Sequence, residues 1–231
     1  MTASALRIHS ENSAQGTTTN ANPLVETVLT KITSEKTYGL DSKGKNLKLV
    51  DLGCGKLRHL CICSKFANQI ILVDTVEQIT RTQKFAGTNY TMEQFVQSLG
   101  NHRSKITIIA TTEFEKQHHN ADIVLSVAVM DVVLKGDREQ MSRSAFNNLS
   151  KGRYFVVIVP RNDSSILKRC SKSNEYQHGN VFNSRGDSNR TFYSNFADHT
   201  PLLRLFERIG FRLVDDLSVY RQVCLILRTP S

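Results

Sequence analysis

The sequence predicts an α/β fold built on a doubly wound, mostly parallel β-sheet whose last strand runs antiparallel. Continuous runs rich in Val, Ile and Leu, such as "QIILVD" (69–74), alternate with helical segments. Such runs are typical of strands that a parallel sheet buries on both faces. Seven strands are predicted, and the last two are too close in sequence for a crossover connection, so they form a hairpin. The length of 231 residues fits a single domain.

The first predicted element is a helix that Asn22 caps and Pro23 begins, with apolar residues from Leu24 to Ile32 on one face. A helix is also expected over 56–67, and a helix or loop begins at Thr75. The remaining predicted helices are 138–150 and 201–210. The predicted strands are 47–53, 69–74, 105–111, one that opens 121–133, 153–160, 211–217 and 222–228.

Composition bounds the organisation of the chain. Residues 1–21 are rich in small polar residues and are expected to form a disordered tail, followed by one domain over 22–231. An odd count of five cysteines indicates reduced thiols. With no signal peptide and no membrane span of about 18 apolar residues, we expect a cytoplasmic protein without a membrane partner. The net charge of +9 is compatible with a nucleic-acid partner, although the basic residues are scattered.

The stretch "LVDLGCG" carries the main functional signal. Gly53 and Gly55 allow positive φ and a close approach of a ligand, and the helix that follows offers free N–H groups. A dinucleotide fingerprint would need a third glycine at the position of Arg58. Asp51 before the glycines favours a cationic group over a pyrophosphate. Asp74, which ends the next strand, suits a ribose diol because a carboxylate accepts two hydrogen bonds.

These residues resemble the class I S-adenosylmethionine-dependent methyltransferases, with "LVDLGCG", "ILVD" ending in Asp74, and "ADIVLSVAVMDVV" as the family's fourth strand and loop. The resemblance covers roughly 47–228 and implies a Rossmann-like, seven-stranded sheet with a reversed last strand. It implies S-adenosyl-L-methionine as the cofactor, held by Asp51, Gly53, Gly55 and Asp74. Two departures stand out: Leu57 replaces a glycine that is frequent in the family, and the usual adenine-binding acid after the third strand is absent.

The other candidate site residues follow from their position in the predicted fold and not from a motif. Thr112, within "ATTEF", is expected to contact the adenine in place of the missing acid, with Thr111 and Glu113 as alternatives, and Ser126 in the fourth strand is also expected at the cofactor. The polar segment 161–200 is too long for a plain connection and is expected to shape the acceptor site. His178, Tyr193 and His199 within it are the candidate catalytic residues.

No metal site is expected. His59, Cys61 and Cys63 lie close in sequence, but two helical residues two positions apart point about 200° away from each other and cannot bind one ion.

The acceptor class is narrowed by motifs that the sequence lacks. The (Asn/Asp/Ser)-Pro-Pro-aromatic motif of amino-methylating DNA enzymes is replaced by "SVAVMDVV", and no Pro-Cys pair of cytosine-C5 enzymes occurs. We therefore expect methyl transfer to an O or N atom of a small molecule. Two alternatives remain open: an RNA- or DNA-associated methyltransferase, which the basic charge favours, and a non-catalytic binding module that keeps the fold.

Overall fold

The computed structural model describes residues 21–40, 46–85, 87–100, 104–161 and 196–231, together with the backbones of 180–185 and 189–194. The predicted tail and most of 161–200 therefore lie outside the described residues. The helices are α1 (Pro23–Ser34), α2 (Leu60–Phe66), α3 (Val76–Thr80), α4 (Met92–Ser98), α5 (Thr111–Phe114), α6 (Lys135–Asn148) and α7 (Thr200–Ile209). The strands of the main sheet are β1 (Lys48–Leu52), β2 (Gln69–Asp74), β5 (Lys105–Ala110), β6 (Ala121–Val127), β7 (Leu149–Pro160), β10 (Arg212–Asp216) and β11 (Gln222–Arg228).

The main sheet has the order β10-β11-β7-β6-β1-β2-β5. β11 pairs antiparallel with both neighbours, while β1 pairs parallel with β2 and β6, β2 with β5, and β6 with β7. The seven-stranded, mostly parallel sheet with an antiparallel last strand is thus confirmed. The chain moves outward from β1 to β5 and then returns to β6, so the strand order reverses between β1 and β6, where ligands bind in sheets of this kind.

Two apolar clusters cover the two faces of the sheet. One contains Leu49 and Leu72 from the strands and buries Val28 of α1, Leu60 of α2 and Met92 of α4. The other cluster lies on the opposite face, where α5, α6 and α7 pack. The first helix begins as predicted, because the Asn22 side chain accepts a hydrogen bond from the Leu24 N–H at 3.0 Å.

Several segments differ from the sequence-based prediction, two of them next to the turn after β1 and after α3. The helix predicted from residue 56 begins at Leu60, because the preceding residues form an extended turn with Leu57 at positive φ. A small hairpin of β3 (Gln83–Phe85) and β4 (Thr88–Tyr90), followed by α4, occupies the stretch after α3. The Phe85 and Phe95 rings stack there with centroids 4.5 Å apart. These elements are too short to leave a period in the sequence.

The remaining described strands, β8 (Asn180–Arg185) and β9 (Asn189–Ser194), pair with each other as an antiparallel hairpin. Among the described residues, no helix combines the length and apolar character that crossing a membrane requires.

Candidate functional site

The turn after β1 is held in place by the end of β2. The N–H groups of Gly53 and Cys54 both donate to the Val73 carbonyl, at 2.8 and 3.1 Å. Gly53 and Gly55 have φ values of 78° and 52°, a left-handed conformation that residues with a Cβ rarely adopt. The sequence therefore places glycine where the backbone geometry requires it.

The two glycines serve different purposes. A Cβ built on Gly53 would lie 2.4 Å from Cγ2 of Val129, in the loop after β6, so Gly53 permits that loop to pack over the turn. A Cβ on Gly55 would have no closer neighbour than the Gly53 carbonyl oxygen, at 3.9 Å. Open space therefore lies beside Gly55, where a ligand can reach the backbone.

Leu57 continues the same turn with a φ of 56°, although it is not glycine. Its side chain is buried in the cluster that α1 and α2 cover. The left-handed conformation costs a residue with a Cβ about 1–2 kcal/mol, and burial of the apolar side chain offsets that cost. Leucine thus keeps the glycine-like backbone of the turn instead of blocking it.

Asp51 is a buried carboxylate beside this turn. Its side chain is 2% exposed, and within the described part of the chain its Oδ2 has no hydrogen-bond partner. Burial, with a smaller contribution from the charge of Asp74, raises the pKa of Asp51 to about 7. A buried polar atom without a partner is costly. The site is therefore suited to a positively charged or hydrogen-bond-donating group.

Asp74 lies on the same face of the sheet at the end of β2. Its Oδ2 accepts the Gly55 N–H and its Oδ1 accepts the Thr75 N–H, both at 2.8 Å. Burial raises the pKa of Asp74, and these two hydrogen bonds oppose the shift. Because each carboxylate oxygen can accept more than one hydrogen bond, Asp74 fixes the turn and keeps acceptor sites for a ligand.

Residues that the sequence patterns did not indicate support the turn from α3 and α4. The buried Gln78 donates from Nε2 to the Gly55 carbonyl at 3.0 Å and to Gln83 Oε1 at 3.1 Å. The Met92 sulfur lies 3.8 Å from Cys54 Sγ. Glutamine and methionine follow no motif here, so only the folded chain reveals these contacts.

The loop after β6 is apolar and fixed from two directions. Val129 and Met130 are buried, and Ala128, at the end of β6, has a φ of 55°. Arg138 of α6 donates from Nε to the Met130 carbonyl at 2.8 Å and from Nη2 to the Val133 carbonyl at 3.2 Å. Its guanidinium also stacks over the Phe196 ring, 5.0 Å from the centroid. Arg138 therefore links this loop to the chain that returns from segment 161–200.

Comparison with solved structures shows which known proteins share this fold. A methyltransferase described as S-adenosylmethionine-dependent from Methanosarcina mazei superposes with a TM-score of 0.64 over 91% of this chain and 99% of its own, at 14% identity. The chain has the class I methyltransferase fold. A Burkholderia thailandensis 1,6-didemethyltoxoflavin-N1-methyltransferase, with its substrate and S-adenosylhomocysteine bound, gives a TM-score of 0.59 at 11% identity, covering 90% of this chain and 78% of that one.

A magnesium protoporphyrin IX methyltransferase from Synechocystis, with S-adenosylhomocysteine bound, gives 0.58 at 11% identity over 95% of this chain and 93% of its own. No protein-family model matches the sequence, and no curated protein sequence matches it either. The likeness to the methyltransferase fold is therefore structural and does not extend to sequence identity.

The two other residues predicted to bind the cofactor, Thr112 and Ser126, lie at different places in this fold. Thr112 is exposed on α5, two residues after Ala110, which pairs with Asp74. Ser126 is fully buried in β6, next to Leu125, which shares the face and register of Asp51. Alternation along the strand turns Ser126 to the opposite face. Asp51, Asp74 and Gly55 are brought together, whereas Ser126 points away from them.

The candidate catalytic residues lie far from the glycine turn, near the edge strand β10, or outside the described residues. His178 is not described, and Tyr193 is described only as part of the β9 backbone. His199 lies at the start of α7, where its Nδ1 is 2.8 Å from Asp216 Oδ2 at the end of β10. Four strand spacings separate β10 from β1, roughly 19 Å at about 4.8 Å each. A role for these residues stays a prediction.

The stretch from His59 to Cys63 leads into α2. Cys61 is exposed and Cys63 is buried, so the two thiols lie on different sides of α2. Burial is the main cause that lowers the pKa of His59 to about 4, so its ring is neutral at physiological pH. Within the described ranges, no group of three or more metal-binding side chains converges on one point.

Proposed function

We propose that this chain is an enzyme that uses S-adenosyl-L-methionine to methylate a small molecule at an O or N atom. The observation that carries the proposal is the juxtaposition of Asp51, Asp74 and the open space beside Gly55 at the point where strand order reverses. The residues fit the cofactor because it combines a positively charged amine and sulfonium with a ribose diol. A pyrophosphate would be repelled by the same two carboxylates.

Each residue would have a distinct part in holding the cofactor. Asp51 would receive the positively charged amino-acid end, and Asp74 would accept the ribose hydroxyls with the lone pairs that Gly55 and Thr75 leave free. Val76 is the one large apolar side chain in the described residues around this turn that is more than half exposed, at 52%, and it follows Asp74 closely enough to lie against the adenine. Thr112 lies in α5, just beyond the end of the neighbouring strand β5.

The cofactor, when bound, supplies an electrophilic methyl group on its sulfonium. The protein then has to align the acceptor and exclude water, so that proximity supplies much of the rate acceleration. The buried apolar loop of Val129 and Met130 suits the exclusion of water, and segment 161–200 would shape the acceptor site. A general base contributes only where the acceptor must lose a proton, and it then adds about 10²–10⁴-fold.

Support for a small-molecule acceptor comes from the apolar loop after β6, which replaces the proline-containing motif of amino-methylating DNA enzymes. Two proteins with the same fold act, by their names, on 1,6-didemethyltoxoflavin and on magnesium protoporphyrin IX. The excess of 30 basic over 21 acidic residues favours the alternative, a nucleic-acid acceptor. Anisotropy titrations with a mixed-sequence RNA oligonucleotide separate the two, because phosphate-driven binding falls steeply with added salt.

Calorimetric titration with S-adenosylmethionine and S-adenosylhomocysteine tests the cofactor directly. We expect binding of both, and Asp74→Asn should weaken it by roughly 10- to 150-fold, the equivalent of about 1.5–3 kcal/mol for a hydrogen bond to a charged group. Asp122→Asn is the matched control, because Asp122 also accepts a backbone N–H, from Lys48 at 3.0 Å, but near the amino end of β6 and so away from the glycine turn. It should leave cofactor affinity unchanged.

Two results would contradict the proposal. Absence of binding to either compound at millimolar concentration by the folded protein would exclude a cofactor site. Equal losses of affinity in Asp74→Asn and Asp122→Asn would mean that the effect arises from general destabilisation. Binding of the cofactor without methylation of any of a panel of small-molecule acceptors would favour the non-catalytic binding module.

A further inference from the structure

Two buried side-chain amides in this chain hold backbone carbonyls, and they differ in how completely they are hydrogen-bonded. Asn148, at the end of α6, donates from Nδ2 to the Phe114 and Ser144 carbonyls, at 3.0 and 2.9 Å. Its Oδ1 accepts the His119 N–H at 3.0 Å. Both polar atoms of this amide therefore have partners, as expected for a group that stabilises the fold.

Gln78 of α3 is also buried, but its amide oxygen is left without a partner. Its Nε2 uses both N–H donors, on the Gly55 carbonyl at 3.0 Å and on Gln83 Oε1 at 3.1 Å. Its Oε1 has no hydrogen-bond partner among the described residues. A buried acceptor without a partner is destabilising, so the stability of the fold alone does not explain a glutamine at this position.

The Gly55 carbonyl determines which way the Gln78 amide faces. Turning the amide over would place Oε1 against that carbonyl oxygen, and neither of these two acceptors could donate to the other. Gln83 fits the same orientation, because its Oε1 accepts the second Nε2 proton. The Gln78 amide is therefore oriented to donate to the glycine turn, and its oxygen is left unpaired as a result.

Gly55 depends on side-chain partners because a glycine backbone is flexible. It has a φ of 52° and no Cβ, so many other conformations are open to it. Its N–H donates to Asp74 Oδ2 at 2.8 Å, and its carbonyl accepts from Gln78 Nε2 at 3.0 Å. The two hydrogen bonds restrain the peptide groups on both sides of the Gly55 Cα. Together they fix the N–H that orients the Asp74 carboxylate.

We propose that Gln78 is a positioning residue of the cofactor site, which fixes the conformation of Gly55 and through it the Asp74 carboxylate. This inference rests on the proposed function, in which Asp74 accepts the ribose hydroxyls of the cofactor. The Gln78 amide acts on the turn and not on the cofactor itself. It holds the turn in its binding conformation beforehand, so that less of the binding energy is spent on ordering it.

Two substitutions separate positioning from folding, by calorimetric titration with S-adenosylhomocysteine and by urea denaturation. Gln78→Met keeps the length of the side chain but removes both donors and the unpaired oxygen. We expect affinity to fall by roughly 2- to 12-fold, as for the loss of one neutral hydrogen bond, with a midpoint of unfolding close to that of the wild type. Asn148→Leu is the matched control, because it removes a fully paired amide. It should lower the midpoint and leave the affinity unchanged.

Gln78→Glu gives a readout that a purely structural residue would not give. When ionised, the new carboxylate repels the Gly55 carbonyl oxygen, and when protonated its O–H can donate to it. Burial raises the pKa of a carboxylic acid. Relative to the wild type at the same pH, the loss of affinity should therefore be largest near about pH 9 and shrink toward about pH 6. The loss in Gln78→Met should stay constant over this range.

Hydrogen exchange of single amides, followed by NMR in the protein without cofactor, tests the step through Gly55. In Gln78→Met the Gly55 amide should exchange about tenfold faster than in the wild type, because a local opening becomes easier. The Gly53 and Cys54 amides, which donate to the Val73 carbonyl, should keep their rates. Should Gln78→Met fail to fold, Gln78→Glu compared at the two ends of its pH range provides the same test.

Three results would overturn the inference while leaving the proposed function intact. They are unchanged exchange of the Gly55 amide, equal affinity in Gln78→Met and the wild type, and a loss of affinity in Asn148→Leu as large as that in Gln78→Met. A folded wild type that binds no S-adenosylhomocysteine would instead overturn the proposed function, and this inference with it.

Discussion

The two halves of the sheet's carboxyl edge are built in different ways. On the side of β1 and β2, the site consists of backbone and carboxylates: Gly53 and Gly55 at positive φ, with Asp51 and Asp74 buried beside them. On the side of β6 and β7, it consists of packed side chains from distant parts of the chain, such as Arg138 against Met130 and Phe196.

Under the proposed function, this difference follows from the cofactor or acceptor that each half would recognise. A cofactor with a fixed set of charges and hydroxyls can be bound by a few polar groups on one short turn. An acceptor site is shaped by apolar surfaces and loops, which many sequences can supply. The first arrangement leaves a short motif in the sequence, and the second does not.

Gly53 joins the two halves, so its substitution should have the largest effect. Gly53→Ala places a Cβ 2.4 Å from Val129 Cγ2 on a residue with a φ of 78°. Overpacking costs about 1–3 kcal/mol and the left-handed conformation a further 1–2 kcal/mol. We expect the free energy of unfolding to fall by roughly 2–5 kcal/mol, measured by urea denaturation.

Gly55→Ala is the comparison that isolates packing from backbone strain. Its added Cβ meets open space, so only the conformational cost of about 1–2 kcal/mol applies. We expect this variant to fold and to lose affinity for S-adenosylhomocysteine, because the methyl group enters the space beside the turn. Equal destabilisation of Gly53→Ala and Gly55→Ala would show that Val129 does not pack tightly against Gly53. The two halves of the site would then not be in contact through these residues.

Asp51 should show that the cofactor half is stabilised for binding and not for folding. Its pKa rises from 3.8 to about 7 on folding, so the folded state holds a proton that the unfolded state has released. The contribution of Asp51 to the free energy of unfolding is fully present below pH 3.8. It is lost as the pH rises to about 7. Asp51→Asn removes the loss, and at pH 8 it should raise the free energy of unfolding by roughly 2–4 kcal/mol while weakening cofactor binding.

The pH dependence identifies the cause. The difference in unfolding free energy between wild type and Asp51→Asn should grow steadily between pH 4 and pH 7 and then level off, because only the wild type titrates a buried carboxyl there. Saturating S-adenosylhomocysteine, which brings a positive amine, should shrink this difference. A difference that is constant with pH would mean that Asp51 ionises normally and that its surroundings are polar.

The contrast between the halves also explains which features could be predicted from the sequence. The sheet, its reversed last strand and the position of Asp51, Gly55 and Asp74 at the ends of neighbouring strands follow from local patterns, because a buried strand and a tight turn each restrict residue type within a few positions. Leu57 looked like a departure, yet its φ of 56° keeps the turn intact. A side chain that tolerates strain through burial cannot be distinguished in sequence from one that reshapes the loop.

The features that the sequence did not predict depend on tertiary contact. Gln78 of α3 donates to the Gly55 carbonyl and to Gln83 Oε1 in β3, and these short elements carry no period in the sequence. Ser126 was assigned to the cofactor from its place in the strand, but the strand's alternation directs it to the other face. Face and register are set by pairing with β1 and β7, which no single stretch of sequence encodes.

Substitution of Arg138 tests whether the two halves act separately. Arg138→Met keeps the length of the side chain but removes the donors to the Met130 and Val133 carbonyls and the cation over Phe196. We expect a loss of roughly 2–3 kcal/mol in the free energy of unfolding, since hydrogen bonds to charged groups contribute about 1.5–3 kcal/mol. Arg138→Lys should recover only part of it, because an ammonium cannot reproduce the planar fork.

Cofactor affinity in Arg138→Met decides the question. If the acceptor half is independent, S-adenosylhomocysteine should bind the variant within about threefold of the wild type, less than 1 kcal/mol, because the hydrogen bonds of Arg138 to the Met130 and Val133 carbonyls and its contact with Phe196 lie in the half beside β6 and β7. A loss as large as that of Asp74→Asn would instead mean that Val129 transmits the position of its loop to the glycine turn. Calorimetry on both variants under one buffer condition separates these outcomes.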